Sequence, residues 1–176
     1  MQHNSQVMRC LFNRRSIRKF KAKPVAQDKL ELLIKAFEAA PSAGNIQPWF
    51  LYLVNNQAKK EKLCQLSFDQ EAVKNAPTVI TVCADPALSA AEYGDAGRDF
   101  FCIQDTAAAV QNLLLAVHDL GLGAVWIGVL KEKEIAACLD LPARHKPVAL
   151  IPVGIPAEKP AAWDRKGWQH IYQVIN

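Results

Sequence analysis

The sequence predicts an α+β fold, on three observations. Leu30, Leu33, Ile34 and Phe37 recur at the i, i+3, i+4, i+7 spacing of one helix face. Thr78-Val79-Ile80-Thr81-Val82-Cys83 is a β-branched run bounded by Pro77 and Asp85-Pro86, the mark of a strand. From about Phe100 to Leu120 the chain is apolar on nearly every helical face. Some strands are joined by helices and others are not, so a strict βαβ repeat is not supported.

The elements follow in order. Val7, Cys10 and Leu11 place a helix over residues 2–12. The next helix is led in by Pro24-Val25, has Asp28 in its first turn, and is stopped by Pro41. Phe50–Val54 reads as a strand, followed by the turn-like Asn55-Asn56 and a helix over Lys59–Leu66. The stretch Ala87–Asp99 is short and carries no clear pattern. In the long helix, Ile103, Ala107, Val110, Leu114 and Val117 form one stripe, while Leu113, Ala116 and Leu120 form a second. Such a helix has to be covered by a sheet and other helices, or by a second subunit. Gly121 is its natural C-cap. Ala124–Leu130 reads as one strand with Gly128 inside it, which suggests a close approach to the backbone. A short helix over Glu132–Leu139 and a strand over Val148–Val153 follow. Pro152 argues for a sheet edge or a bulge. Ile171–Ile175 has strand composition and is set apart by Pro156, Pro160 and Gly167. It is a candidate for pairing on a partner subunit.

At 176 residues, 51% hydrophobic and 22% charged, residues 1–176 form a single domain of ordinary globular composition. No apolar run reaches the roughly 20 residues of a membrane span, and no signal-like core follows the basic N-terminus. Cys10, Cys64, Cys83, Cys102 and Cys138 are far apart and odd in number. This fits buried thiols in a reducing cytoplasm, not a disulfide framework or a zinc site. His3, His118, His145 and His170 show no metal spacing.

Charge is unevenly placed. Met1 to Gln27 holds seven Lys/Arg and no acid, leaving 14 of the 21 basic residues for the rest of the chain, against all 17 acids. Arg14-Arg15-Ser16-Ile17-Arg18-Lys19-Phe20 lies within this segment. Guanidinium groups around a hydroxyl suit an anion, a phosphate above all. The phosphate could belong to a cofactor or to a nucleic acid. Only Phe12 and Phe20 interleave with the cations, fewer aromatics than base stacking needs.

Several chemistries are excluded by pattern. There is no P-loop and no G-x-S-x-G around Ser42, and no serine or cysteine is spaced to a histidine for nucleophilic work. Gly121-Leu122-Gly123 precedes a strand, and Trp126 stands where a dinucleotide fingerprint needs its third glycine. What remains is the loop Ala40-Pro41-Ser42-Ala43-Gly44-Asn45-Ile46-Gln47-Pro48-Trp49. It is stiffened by prolines and supplied with hydroxyl and amide groups that could face a planar heterocycle, or simply cap a turn.

The basic block, this loop, Gly121–Gly128, and Pro152-Val153-Gly154-Ile155-Pro156 with the later Arg165 occur in one order across nearly the whole chain. Together they resemble the nitroreductase family of FMN-dependent oxidoreductases, in its short branch. The resemblance implies a nitroreductase-like α/β/α sandwich, with a central, mainly antiparallel sheet flanked by helices. It implies a homodimer that exchanges its C-terminal strands and holds FMN at the subunit interface. It assigns Arg14, Arg15 and Ser16 to the phosphate and ribityl chain, and Arg18 to the pyrimidine edge of the flavin, where a cation stabilises the reduced anion. Pro41, Ser42 and Ala43 match the segment laid on the ring by the other subunit; Asn45 and Gln47 belong to the same loop, in contact with the flavin or in a structural role. Gln70 is a looser match to a pyrimidine contact. Ile127 and Gly128 match the turn whose backbone N–H faces flavin N5. Arg165 matches the late basic residue at the phosphate, with Lys166 as its alternative.

The implied activity passes hydride from NADH or NADPH through FMN to a small acceptor such as a nitroaromatic, a quinone or another flavin, in a ping-pong cycle. No catalytic acid or base and no metal is assigned. Other flavin chemistry on this scaffold (reductive dehalogenation, flavin cleavage, dehydrogenation) and non-catalytic FMN binding stand as alternatives. Neither nucleic acid nor a membrane is an expected partner, and the expected location is cytoplasmic.

Overall fold

A computed structural model describes residues 5–175. The part of the N-terminal helix expected before residue 5, with His3, lies outside them. Helix α1 runs Gln6–Asn13 and α2 runs Gln27–Glu38. Strand β1 (Trp49–Val54) is followed by α3 (Gln57–Leu66) and a short α4 (Glu71–Asn75). Strand β2 is Thr78–Ala84. Helix α5 (Pro86–Ala96) passes through a π-turn (Gly97–Phe101) into α6 (Cys102–Asp119). Two short strands, β3 (Gly123–Ala124) and β4 (Ile127–Gly128), precede α7 (Glu132–Cys138) and β5 (Lys146–Gly154).

The sheet order is β1-β2-β5-β3, with β4 also on β5, and each of these pairings is antiparallel. Alternation along the strands explains the layering. On β2 and β5, Ile80, Val82, Ala149, Ile151 and Val153 face one way. They pack on Leu33 and Phe37 of α2 and on Val110, Leu113 and Val117 of α6. Val79 and Leu150 face the other way, onto Leu63 of α3, Val73 of α4 and Ile135 of α7. Helices therefore cover both faces of the sheet, as an α/β/α sandwich requires.

Two expectations are corrected. The Ala124–Leu130 strand is two two-residue pairings separated by Val125 and Trp126. Pro152 sits in a central strand, not at an edge. Its register partner on β2 is Val79, and continuing the β3 and β4 registers sets it opposite Val125, where the ladder is already open. A missing N–H there breaks no established pair. The short stretch before the long helix is itself helical and joins it through the π-turn, so the helical run spans Pro86–Asp119. By length and composition it could cross a membrane, yet Ala109, Val110, Leu113 and Val117 on it belong to the core. Within the single chain Ile171–Ile175 forms no strand; the pairing expected of it is with a partner subunit. Trp163, Trp168, Ile171 and Ile175 are exposed, Ile175 at 92%.

Candidate functional site

The basic segment is stitched to the sheet. Ser16 bridges Ala124 in parallel, Ile17 N–H donates to the Ala124 carbonyl at 2.9 Å, and Phe20 pairs with Pro156. Gly123 permits this approach, because a Cβ there would lie 2.8 Å from Ile17. Farther along, the Arg18 and Lys19 N–H groups both donate to a carboxylate oxygen of Glu158. The sequence thus lays residues 14–20 beside β3 and the chain after β5.

At the head of this segment the two adjacent arginines part. Arg15 donates from Nη1 to the Phe12 carbonyl at 2.7 Å and to the Arg14 carbonyl at 2.9 Å, closing the C-terminus of α1. Arg14 is half-buried, and among the described residues its guanidinium meets no carboxylate and no hydrogen-bond acceptor. Burial pushes its pKa below the ordinary arginine value, and the nearby Arg165 and Arg15 charges push it the same way. Arg14 therefore lines a cavity of about 400 Å³ with Arg15, Lys159 and an apolar floor of Ile17, Leu114 and Val117. Glu158 stands on the same wall, but its carboxylate accepts from the Arg18 and Lys19 N–H groups and meets no guanidinium, so the charge of Arg14, with Arg15 and Arg165 near it, is left where an anion can enter.

The other assigned residues are placed as follows. Arg18 is exposed, and its Nη1 reaches only the Ser16 carbonyl at 3.5 Å. Ile127 is buried, while a Cβ on Gly128 would meet nothing within 4 Å. No protein atom approaches Gly128, whereas Gly123 is in close contact with Ile17. Gln70 is exposed and begins α4, after Phe68 and Asp69 in left-handed conformations. Lys131 lies over the Phe68 ring, which draws this turn toward the segment after Gly128.

The loop between α2 and β1 is a fixed object. Gly44, Asn45 and Gln47 all have positive φ, between 54° and 57°. Ser42 Oγ accepts from Gln47 N–H at 2.9 Å, and Gln47 Nε2 donates to Asn45 Oδ1 at 3.2 Å. These side chains stiffen the loop from within. From outside, the Ala43 N–H donates to Asp105 Oδ1 on α6 at 3.1 Å, and the Tyr93 hydroxyl of α5 packs against Gly44.

The loop and the cavity lie at opposite ends of α6. Asp105 holds the loop; Leu114, Val117 and His118 line the cavity. At 1.5 Å per residue these points are about 14–20 Å apart along the helix axis. Sequence reasoning missed Asp105, Tyr93, Lys159 and the apolar floor. Only Asp105 left a signal, as a lone acid early in a helix otherwise apolar on most faces.

Fold and site define a class: an α/β/α sandwich with an anion-receptive arginine cluster at the margin of an antiparallel sheet. Comparison with known proteins is more specific. The profile of the nitroreductase family matches residues 11–155. A Methanothermobacter thermautotrophicus protein, carried under the provisional double name NADH dehydrogenase/NAD(P)H nitroreductase, is 35% identical over 162 residues, spanning 90% of this chain and 81% of that one. The oxygen-insensitive NADPH nitroreductase of Salmonella typhimurium is 30% identical over 163 residues, 89% of this chain and 68% of its own. Among solved structures, the NADPH:FMN oxidoreductase from Vibrio harveyi complexed with NAD+ superposes with a TM-score of 0.87 at 26% identity, covering 98% of this chain and 80% of that one. The chain belongs to the nitroreductase family.

Proposed function

We propose that this protein is a homodimeric, FMN-dependent oxidoreductase that moves hydride from NADH or NADPH to a small acceptor: a nitroaromatic, a quinone or a flavin. One observation carries the reading. Arg14 is held half-buried on a cavity, with Arg165 and Arg15 for neighbours, while Glu158 on the same wall is taken up by the Arg18 and Lys19 N–H groups. That donor set fits a phosphate dianion. The open space at Gly128 fits a planar ring. The names of the relatives support the same cofactor and donors.

Bound FMN supplies the hydride chemistry, at N5 of its ring. The chain's own residues then have separable roles. Arg14 and Arg165 clasp the phosphate with charge-assisted hydrogen bonds, while Arg15 fixes the end of α1 that carries Arg14. Ser16, tied to Ala124, contributes its hydroxyl near the ribityl chain. Arg18, whose guanidinium meets no carboxylate among the described residues, sets positive charge beside the ring. Ile127 and Gly128 offer backbone N–H groups, and the absent side chain at Gly128 keeps the approach clear. The Pro41–Gln47 loop excludes water from the ring held by the other copy, and Gln70 is within the same assembly. NAD(P)H and the acceptor take turns in one open space, which gives ping-pong kinetics. The exposed C-terminal segment crosses to the partner, and the dimer works in the cytoplasm.

The test is an FMN titration of the apoprotein followed by anaerobic mixing with NADH and with NADPH. The unsubstituted protein binds one FMN per chain and is bleached by at least one of the two donors. Arg14→Ala combined with Arg165→Ala leaves the fold intact and weakens FMN binding roughly 10–100-fold, the worth of one or two hydrogen bonds to a charged group. Affinity unchanged in the double variant would remove the phosphate assignment. FMN uptake without bleaching would turn the reading to a flavin carrier.

A further inference from the structure

Asp105 is a buried carboxylate in the core helix, 8% exposed, and only one of its oxygens is accounted for. Oδ1 accepts from the Ala43 N–H; Oδ2 has no hydrogen-bond partner among the described residues. An apolar side chain at this point of α6 would avoid that desolvation cost. Nor does Asp105 cap a free helix end, because α6 continues from α5 through the π-turn without a break. What it does is hold a loop in a conformation that resists being held. Asn45 and Gln47 are in left-handed backbone conformations, which crowd a residue with a Cβ, Gln47 above all. The bonds inside the loop fix its shape but not its position on the protein. Position comes from Asp105 at Ala43 and from the Tyr93 hydroxyl at Gly44.

We infer that Asp105 is a positioning residue for the flavin reaction: through the Ala43 N–H it sets where the Ser42–Gln47 loop stands, and so how that loop meets the flavin of the second copy. This rests on the function proposed above and adds a residue to it. Asp105 touches neither flavin nor substrate; it acts through the loop.

Asp105→Ala and Asp105→Asn test this by three readouts: hydrogen exchange of the 41–49 segment in the apoprotein, FMN affinity, and the visible circular dichroism of bound FMN, which reports ring environment. In Asp105→Ala, exchange at 43–47 quickens, FMN binds about tenfold more weakly, as the loss of one charge-assisted bond predicts, and the flavin dichroism changes. Asp105→Asn keeps an oxygen for Ala43 and restores most of all three, which a merely core-filling role would not distinguish. Ala43→Pro provides a second route should Asp105→Ala not fold. Ser42, at φ −142° and ψ 155°, already has the extended backbone that precedes a proline, so the variant removes the N–H itself and reproduces the flavin signature. Affinity and dichroism within twofold of the unsubstituted protein in Asp105→Ala or Ala43→Pro would overturn the assignment, as would an Asp105→Asn no better than Asp105→Ala. If the unsubstituted protein binds no FMN, the reading of the whole site falls with it; if it binds and the variants match it, only Asp105 is misassigned.

Discussion

Arg14 and Arg15 are neighbours of the same chemical type with different partners. The second closes a helix, and the first is left with its charge unmet. The sequence shows the pair but cannot separate them, because the difference depends on where α1 ends. Asn45 and Gln47 show the same limit: read as loop groups available to a ligand, they bond to each other. A second residue-scale consequence concerns His145. It is buried and stacked on Phe50, with Nδ1 2.6 Å from the Tyr52 hydroxyl and Nε2 4.0 Å from Asp85. Burial pushes its pKa below 6.5; the Arg144 charge adds to the fall and Asp85 opposes it. The unfolded chain therefore binds this proton more readily than the folded one. The stability contributed by neutral His145 is fully present above the unfolded value of 6.5 and is lost as pH falls through the folded value. The melting temperature should decline on acidification below about pH 6.5, and His145→Gln should flatten that decline. A parallel decline in the variant would assign the effect to other groups.

Among the elements, α2 was legible from its one apolar face, and β2 and β5 as continuous apolar runs, because helices cover both faces of those strands. Helix α5 was not. Pro86–Ala96 is rich in alanine and offers no stripe, and only Ser89 on it is buried. The Ala124–Leu130 run has strand composition, yet it yields two short pairings because Val125 is drawn into the α3–α4–α7 core while Trp126 turns outward. The glycine that matters for contact is Gly123. Gly123→Ala would set its Cβ 2.8 Å from Ile17, which the ladder leaves little room to move. It should cost about 1–3 kcal/mol by overpacking and loosen residues 14–20 from β3. The check is thermal unfolding alongside FMN titration: a variant as stable as the parent, with unchanged affinity, would show that the segment does not depend on this contact.

For the whole molecule, the sandwich was readable and the assembly only in outline. The apolar faces of the long helix and the separated C-terminal segment both pointed to a second subunit; no local pattern says where either one docks. Trp163 is 84% exposed and Ile171 77%, a large apolar surface for a lone chain to leave in water. Removing residues 161–176 takes away this surface and Arg165 together. The shortened chain should run as a monomer in light scattering and hold FMN at least tenfold more weakly; a dimer with full affinity would place the interface elsewhere. The span of α6 between Asp105 and Leu114 has one more consequence. In the proposed dimer each copy gives its loop to one flavin and its arginines to the other, so no pocket would be built by a single polypeptide. A chain disabled at Arg14 and a chain disabled in the 42–47 loop fail for separate reasons. Co-expressed in equal amounts, they should pair to restore about a quarter of the normal number of working pockets, because half of the pairs are mixed and each mixed pair contains one undamaged combination.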